Sequence, residues 1–503
     1  MKEPKTPNRK SIPADRRVYC NRTLNLRSIK AIGYDLDYTL VHYCVDSWER
    51  TTFRYLQEKL SNRGYPVDRF EFSPHDFQIG LIIDRQRGNI LKADQFGYVK
   101  WGTHGTRMLE YSSLRTIYSD TVIELPDPRF VFLNTLFSLS EASMYAQLVD
   151  VLDAGDIPGT HGYGDLYSEL KKNLDETHME GMVKHEIASF PERYIVQDSE
   201  TPTTLLHQKL SGKQLLLITN SDWIHTQLVM EHAFQPHLPP DMPWRSLFDV
   251  IIVSARKPAF FTHNSPAFEV IDDSGILKPI VKQPGTGKIL LGGSVELIEE
   301  MLGLRGSQIL YVGDHAFGDV HVSKNLRRWR TALIIRELED ELAVLASFAP
   351  QQDQLNKLMN RKIELEHTFA RTQLTQHPDL SDNQMNGNSV SSLRETGIDD
   401  IRDSIRRLDD KIRPLALEAG KLHNKKWGLL MRCGNDKSYL ARLVEQHADI
   451  YTSRVSNLLF ETPYAYFRAS RGFLPHERKE YVSNNAGRDP DTENSINCEE
   501  KTP

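Results

Sequence analysis

Five short apolar runs interrupt an otherwise mixed chain, and each ends abruptly in polar residues. They are "AIGYDLD" from Ala31, "QLLLITNSD" from Gln214, "FDVIIVSARKP" from Phe248, "QILYVGDHAFGD" from Gln308 and "TALIIREL" from Thr331. Runs this short, apolar on both faces and closed by polar residues, predict buried parallel strands. Stretches of helical period such as "SVELIEEMLG" from Ser294 separate them. Strand–helix alternation predicts a doubly wound α/β domain, in which ligands gather at the carboxyl ends of the strands. The first four runs carry their Asp, Thr, Asn or Lys at that end.

Roughly 180 residues separate the first strand from the second, far more than a crossover helix needs, so an inserted domain belongs there. It holds helical stretches such as "DSWERTTFRYLQEKLSNRG" from Asp46 and "NTLFSLSEASMYAQLVDVL" from Asn134. A smaller excursion follows Lys257, with a hairpin signal in "FEVIDDSGILKPI". Past Pro350, Leu355, Leu358, Leu365 and Phe369 recur at heptad spacing, interrupted by Lys362. Ile401, Ile405, Leu408, Ile412, Leu415, Ala419 and Leu422 form a second such row, with Pro414 expected to kink it. Together they predict a helical hairpin resembling an antiparallel coiled coil and packed on the α/β domain. The polar "TQHPDLSDNQMNGNSVSS" from Thr375 would be its mobile tip. The expected division is therefore an amino-terminal extension (1–27), a catalytic core (28–45 and 205–345) and an inserted cap (46–204). A hairpin and carboxyl-terminal segment packing on the core (346–480) and a disordered tail (481–503) follow.

Composition narrows the class. A chain of 503 residues, 39% hydrophobic and 26% charged, suits a soluble protein of two or three units. Its net charge of −6, with no dense basic block, points to neither nucleic acid nor a membrane surface as partner. Cys20, Cys44, Cys433 and Cys498 show no CxxC spacing, which argues against a disulfide scaffold or a zinc site. The first residues lack an apolar segment of the signal-peptide kind, and no run approaches the ~20 residues of a membrane helix. A cytoplasmic location is the expectation.

The strand ends supply a coherent chemistry. Asp35 at the first strand end can attack phosphorus and carry it as an aspartyl phosphate. Asp37, two residues on, points to the same mouth and can protonate the leaving alkoxide, then serve as base for water. Beside Asp35 its pKa is expected to rise, which suits an acid. Thr219 and Asn220 offer donors to phosphoryl oxygens, and Lys257 offers a positive charge. Asp314 and Asp319 offer carboxylates to Mg²⁺, which takes oxygen ligands. A DxD pair, a TN or a lone Lys is weak by itself, but four such signals in order at four strand ends are not coincidence.

"DLDYT", "LLLITN", Lys257 and "YVGDHAFGD" resemble the four motifs of haloacid dehalogenase-type phosphohydrolases. That resemblance implies a Rossmann-like core and an aspartyl-phosphate mechanism with Mg²⁺. Its metal set would be Asp35, Asp37 and Asp314, with Asp319 behind them. Asp37 marks the phosphatase-like branch. "IGYDLDYTLVHY", "NTLFSLSEA", "LLITNSDW", "DIYTSRVSNLLF" and "YFRASRGFLPHE" further resemble the cytosolic purine 5′-nucleotidase family, from about Tyr19 to about Glu480.

The closer resemblance implies hydrolysis of IMP and GMP, phosphoryl transfer to a second nucleoside, and a homo-oligomer, dimer or tetramer. It places Phe137 against the base, with Lys171, Asp175, His178, Lys184 and Ser221 as further substrate contacts. Three positions depart from the family: Lys171 stands for Arg, Met179 for Tyr and Ser138 for Asn. Lys cannot form the bidentate fork of Arg. The acidic carboxyl-terminal run is reduced to Glu499 and Glu500. Phe317 and Asn134 match two positions of the family's ATP effector site. The competing expectations are a phosphatase of this class acting on a non-nucleotide phosphomonoester, and a catalytically quiet scaffold. The second would have lost Asp35, Asp37, Lys257 or Asp314, and all four are present.

Overall fold

The computed structural model describes residues 12–124, 126–157, 162–179, 181–280, 287–316, 319, 322–375 and 398–470, with the side chains of 178, 179 and 375 excepted. The five apolar runs become neighbouring strands of one ten-stranded sheet. Ala31–Tyr34 lies at its centre, parallel to Gln214–Ile218 on one side and Ile309–Gly313 on the other. Val250–Val253 and Lys288–Gly292 continue the parallel order beyond Gln214–Ile218, and Arg330–Ile334 continues it beyond Ile309–Gly313. The residues of Ala31–Tyr34, Val250–Val253 and Ile309–Gly313 are all buried, which explains why these runs are continuously apolar and do not alternate.

Two segments outside the expected core complete this sheet. Ile450–Thr452 adds a parallel strand beside Arg330–Ile334, and Tyr19–Cys20 pairs antiparallel with it. At the opposite edge Ala267–Val270 and Leu277–Pro279 form the hairpin signalled after Lys257.

The insertion contains the two expected helical regions, as Val45–Asn62 and Leu139–Asp153. It also contains a five-stranded antiparallel sheet that the sequence pattern did not disclose. Its strands are Leu81–Asp84, Asn89–Ala93, Val99–His104, Arg107–Met108 and Phe130–Leu133. Within it Asp84, fully buried, accepts two hydrogen bonds from Arg129, at 2.9 and 2.7 Å, and one from Tyr118 at 2.8 Å.

The helical hairpin is present as Leu338–Thr375 packed on Ile398–Ala419, which runs on through Pro414. The expected mobile tip beyond Thr375 and the expected tail at 481–503 lie outside the described residues. Past the hairpin, the chain locks to the insertion through Lys92. Its buried ammonium donates to the carbonyls of Trp427 and Leu429, each at 2.6 Å. Cys44 and Cys433 are free thiols, and no described helix is long and apolar enough to cross a membrane.

Candidate active site

The central strand delivers Asp35 at its carboxyl end, and its neighbours deliver Thr219, Lys257 and Asp314 to the same rim. Gly33 is needed for this assembly. A Cβ there would lie 2.9 Å from Cδ2 of Tyr311, so only glycine lets that ring cross the strand. Tyr311 then donates to the Ile218 carbonyl at 3.2 Å and accepts from Lys257 Nζ at 3.0 Å. Gly313 serves the same end, since a Cβ there would meet Asp319 Oδ2 at 2.5 Å.

Lys257 Nζ sits 2.7 Å from Asp35 Oδ1 and 2.9 Å from Asp319 Oδ1. Burial opposes its charge, but Asp319 and Asp35 outweigh burial and hold its pKa above the ordinary lysine value. One ammonium faces three carboxylates, because Asp35, Asp314 and Asp319 offer oxygens within 4.8 Å of one another. Burial pushes Asp35 up to about 7, with Lys257 pulling it down and Asp319 and Asp37 adding to the rise. Asp314 is raised by burial, then by Asp35 and Asp319. A cluster of hard oxygen donors carrying this much uncompensated negative charge fits Mg²⁺.

Asp37 behaves differently from its expectation. Tyr43 donates to its Oδ1 at 2.5 Å and Ser221 to its Oδ2 at 2.7 Å, while His225 Nε2 stands 3.6 Å from Oδ1. Burial would raise its pKa, but His225, Tyr43 and Ser221 together pull it below the usual carboxylate range. The expected rise beside Asp35 is therefore corrected to a fall. Among the described residues, Asp35, Asp314 and Asp319 bring side-chain oxygens close enough to share a cation, while the oxygens of Asp37 accept from Tyr43 and Ser221.

The TN pair is also more local than expected. Thr219 Oγ1 accepts from the Ser221 amide at 3.0 Å. Asn220 clamps the backbone of Lys257, accepting from its N–H at 2.6 Å and donating to its carbonyl at 3.2 Å. Tyr38, Ser254 and Arg256 all have positive φ (54°, 49° and 61°), so left-handed non-glycine residues cluster beside Asp37 and Lys257. Such conformations cost about 1–3 kcal/mol each and concentrate at functional sites.

A cavity of about 520 Å³ opens from Asp37 toward the insertion. Phe137 and Trp48 wall it, with ring centroids 5.1 Å apart, and Ser138, Lys171, Lys184, Asn220, Ser221 and His225 also line it. Lys171 is held 3.3 Å from the buried Glu141, and Lys184 2.8 Å from Asp222. Asp175 lies in the adjoining cleft, paired with Lys171 at 3.5 Å. The side chains of His178 and Met179, and all of Phe317, lie outside the described residues. Asn134 lines a separate small cavity with Asp314. Sequence reasoning missed His225, Tyr43, Trp48 and Glu141. The one local signal was Asp222, which caps the helix Trp223–Ala233 through the His225 amide at 2.9 Å and so fixes where His225 points.

A parallel-rich sheet whose central strand ends in Asp35, with a buried Lys257 and an acidic cluster at the same rim, fits a phosphoric monoester hydrolase. The chain belongs to the 5′ nucleotidase family, which it matches over residues 18–479. It is similar to the human 5′-nucleotidase domain-containing protein 2, with 27% identity over 481 residues, covering 92% of this chain and 85% of that protein. The rat protein of the same name is 26% identical, covering 92% and 80%. Among solved structures, an archaeal β-phosphoglucomutase from Pyrococcus sp. strain ST 04 overlaps 61% of this chain and 87% of its own, at 11% identity and a TM-score of 0.30.

Proposed function

We propose that this protein is a Mg²⁺-dependent 5′-nucleotidase that hydrolyses purine nucleoside 5′-monophosphates such as IMP and GMP and can pass the phosphoryl group to another nucleoside. The observation that carries this reading is the cavity, because its aromatic wall of Phe137 and Trp48 leads straight to Asp37. An aromatic wall suits a base, and the rim suits a phosphate.

Among the described residues, the partners of Asp35's side chain, Lys257 Nζ and the Leu36 amide at 2.8 Å, both sit on Oδ1, which leaves Oδ2 as the oxygen proposed to attack phosphorus. The bond from Oδ2 to phosphorus forms as the phosphorus–O5′ bond breaks, and the departing O5′ takes a proton from Asp37. Asp37 is ionised in the arrangement described. It takes up a proton from solvent as the phosphate dianion arriving beside it raises its proton affinity, and that proton is the one passed to O5′. Water then gives a proton to Asp37 and attacks phosphorus, releasing Asp35 and inorganic phosphate. Lys257 holds Asp35 in line and offsets its charge. Asp35, Asp314 and Asp319 are the carboxylates that would hold Mg²⁺, whose chemistry is to offset charge on the phosphoryl oxygens. Lys171, Lys184 and Ser138 line the nucleoside end, with Asp175 in the adjoining cleft and His178 proposed as a further substrate contact.

Phosphate release from nucleoside 5′-monophosphates, sugar phosphates and small aryl esters, with Mg²⁺ or with EDTA, tests this reading. Mg²⁺-dependent turnover at least tenfold faster on IMP or GMP than on the other esters is the expected result. Equal or faster release from the sugar phosphates would keep the chemistry and remove the nucleotide assignment.

A further inference from the structure

The cavity that holds the aromatic wall has a continuation. Lys171 lines both it and a second cleft of the same volume, about 520 Å³ each. One such volume is enough for a ligand of nucleotide size, since pockets for small molecules run from roughly 300 to 1,000 Å³. The second therefore offers room for a group that IMP and GMP do not possess.

The charges of the cleft say what kind of group. It runs along the helix Tyr163–Met179 and is closed by Arg85, the residue after the strand Leu81–Asp84. Its carboxylates are engaged: Asp175 pairs with Lys171 at 3.5 Å, and Glu176 with Arg63 at 2.8 Å and Lys59 at 3.5 Å. Lys171 is also held by Glu141. Two cations are left over, since neither Arg85 nor the exposed Lys172 forms an ion pair among the described residues. Arg85 is nevertheless fixed. Its guanidinium stacks over the Tyr167 ring at 5.4 Å and donates to Ser168 Oγ and the Pro128 carbonyl, both at 3.3 Å. A guanidinium fixed in this way and a free ammonium lining one cleft are donors suited to carboxylates.

The path through the two volumes orders a ligand. With the phosphate at Asp37 and the base against Phe137 and Trp48, only a substituent of the base reaches past Lys171. We propose that this site takes purine nucleoside 5′-monophosphates whose base carries a carboxylate-bearing side chain, with Arg85 and Lys172 binding its carboxylates. Two free cations match two carboxylates in number, as on a succinyl group attached to an exocyclic base nitrogen. This inference rests on the nucleotidase reading and deepens it. The phosphorus–O5′ bond is still the one broken, by the same residues.

Phosphate release by the full chain with Mg²⁺ from N6-succinyl-AMP, N6-butyl-AMP and IMP tests the inference. The two N6 esters share a base and differ in the charge of the substituent, so base preference cancels in their ratio. The expected kcat/KM for the succinyl ester is at least fivefold above that for the butyl ester. That ratio should shrink in about 0.5 M NaCl, because pairs near the surface are screened. Arg85→Gln with Lys172→Gln should bring it to about one. Lys172→Glu, a change at an exposed position, should lower it at least threefold without disturbing the stack on Tyr167. Hydrolysis of IMP with no preference for the succinyl ester, or a preference unmoved by Lys172→Glu, would overturn this inference and leave the nucleotidase reading standing. No release from any of the three nucleotides would remove both.

Discussion

Asp35→Asn is expected to lower turnover by at least 10⁴-fold while leaving the protein folded. The amide keeps the shape and the hydrogen bond from Leu36, but its nitrogen cannot attack phosphorus, and Asp37, two residues on, has its oxygens engaged by Tyr43 and Ser221. A loss of four orders of magnitude is what removing a covalent nucleophile costs where positioning groups remain, as general experience with such sites shows. The same change has a signature in stability. Without metal, Asp35 titrates at about 7 in the folded chain, against about 3.9 for a free carboxyl. Between those values the folded state binds more protons, so that contribution is fully present below about pH 4 and is lost as pH rises to about 7. Chemical denaturation in EDTA should show part of this decline in the parent and not in the variant. A variant that retains a tenth of the parental turnover would remove Asp35 from the mechanism.

Lys257→Met is expected to damage both fold and activity. It leaves Asp35, Asp314 and Asp319 facing one another with no cation among them, and it removes the donor to Tyr311. Deleting one partner of a buried pair typically costs about 3–5 kcal/mol, and losing a preorganised charge at the reacting centre lowers kcat by roughly 10²–10³. Lys257→Met with Asp319→Asn removes one charge of each sign and should recover about half of the lost stability without recovering turnover. Denaturant midpoints and initial rates on the same samples separate the two effects. Equal stability in the single and double variants would mean that Lys257 does not balance Asp319.

The placement of Asp35, Thr219, Lys257 and Asp314 past neighbouring strand ends was legible because it follows from local pattern. A four- or five-residue apolar run that stops at Asp, Thr or Lys encodes both the buried strand and its polar end, as Ala31–Tyr34 and Ile309–Gly313 show. The insertion's sheet was not legible. Leu81–Asp84 and Asn89–Ala93 bury charged and polar residues such as Asp84 and Lys92 among apolar ones, so neither alternation nor a continuous apolar run appears. Ile450–Thr452 is three residues long and draws its identity from a neighbour more than a hundred positions away. The sign of the Asp37 shift was missed for a related reason. Tyr43, Ser221 and His225 converge on it from three separate elements, and their donors decide against the repulsion from Asp35 that sequence proximity suggests.

The most direct test of the central claim is to locate the phosphoryl group during turnover. The enzyme is mixed with Mg²⁺ and IMP labelled in its phosphate, quenched in acid within milliseconds, and digested for peptide sequencing. The account predicts acid-stable, hydroxylamine-labile label on the peptide carrying Asp35, chased to inorganic phosphate by unlabelled IMP and diverted to an added nucleoside. Label on any other residue, or full turnover with no covalent label at any time, would contradict it.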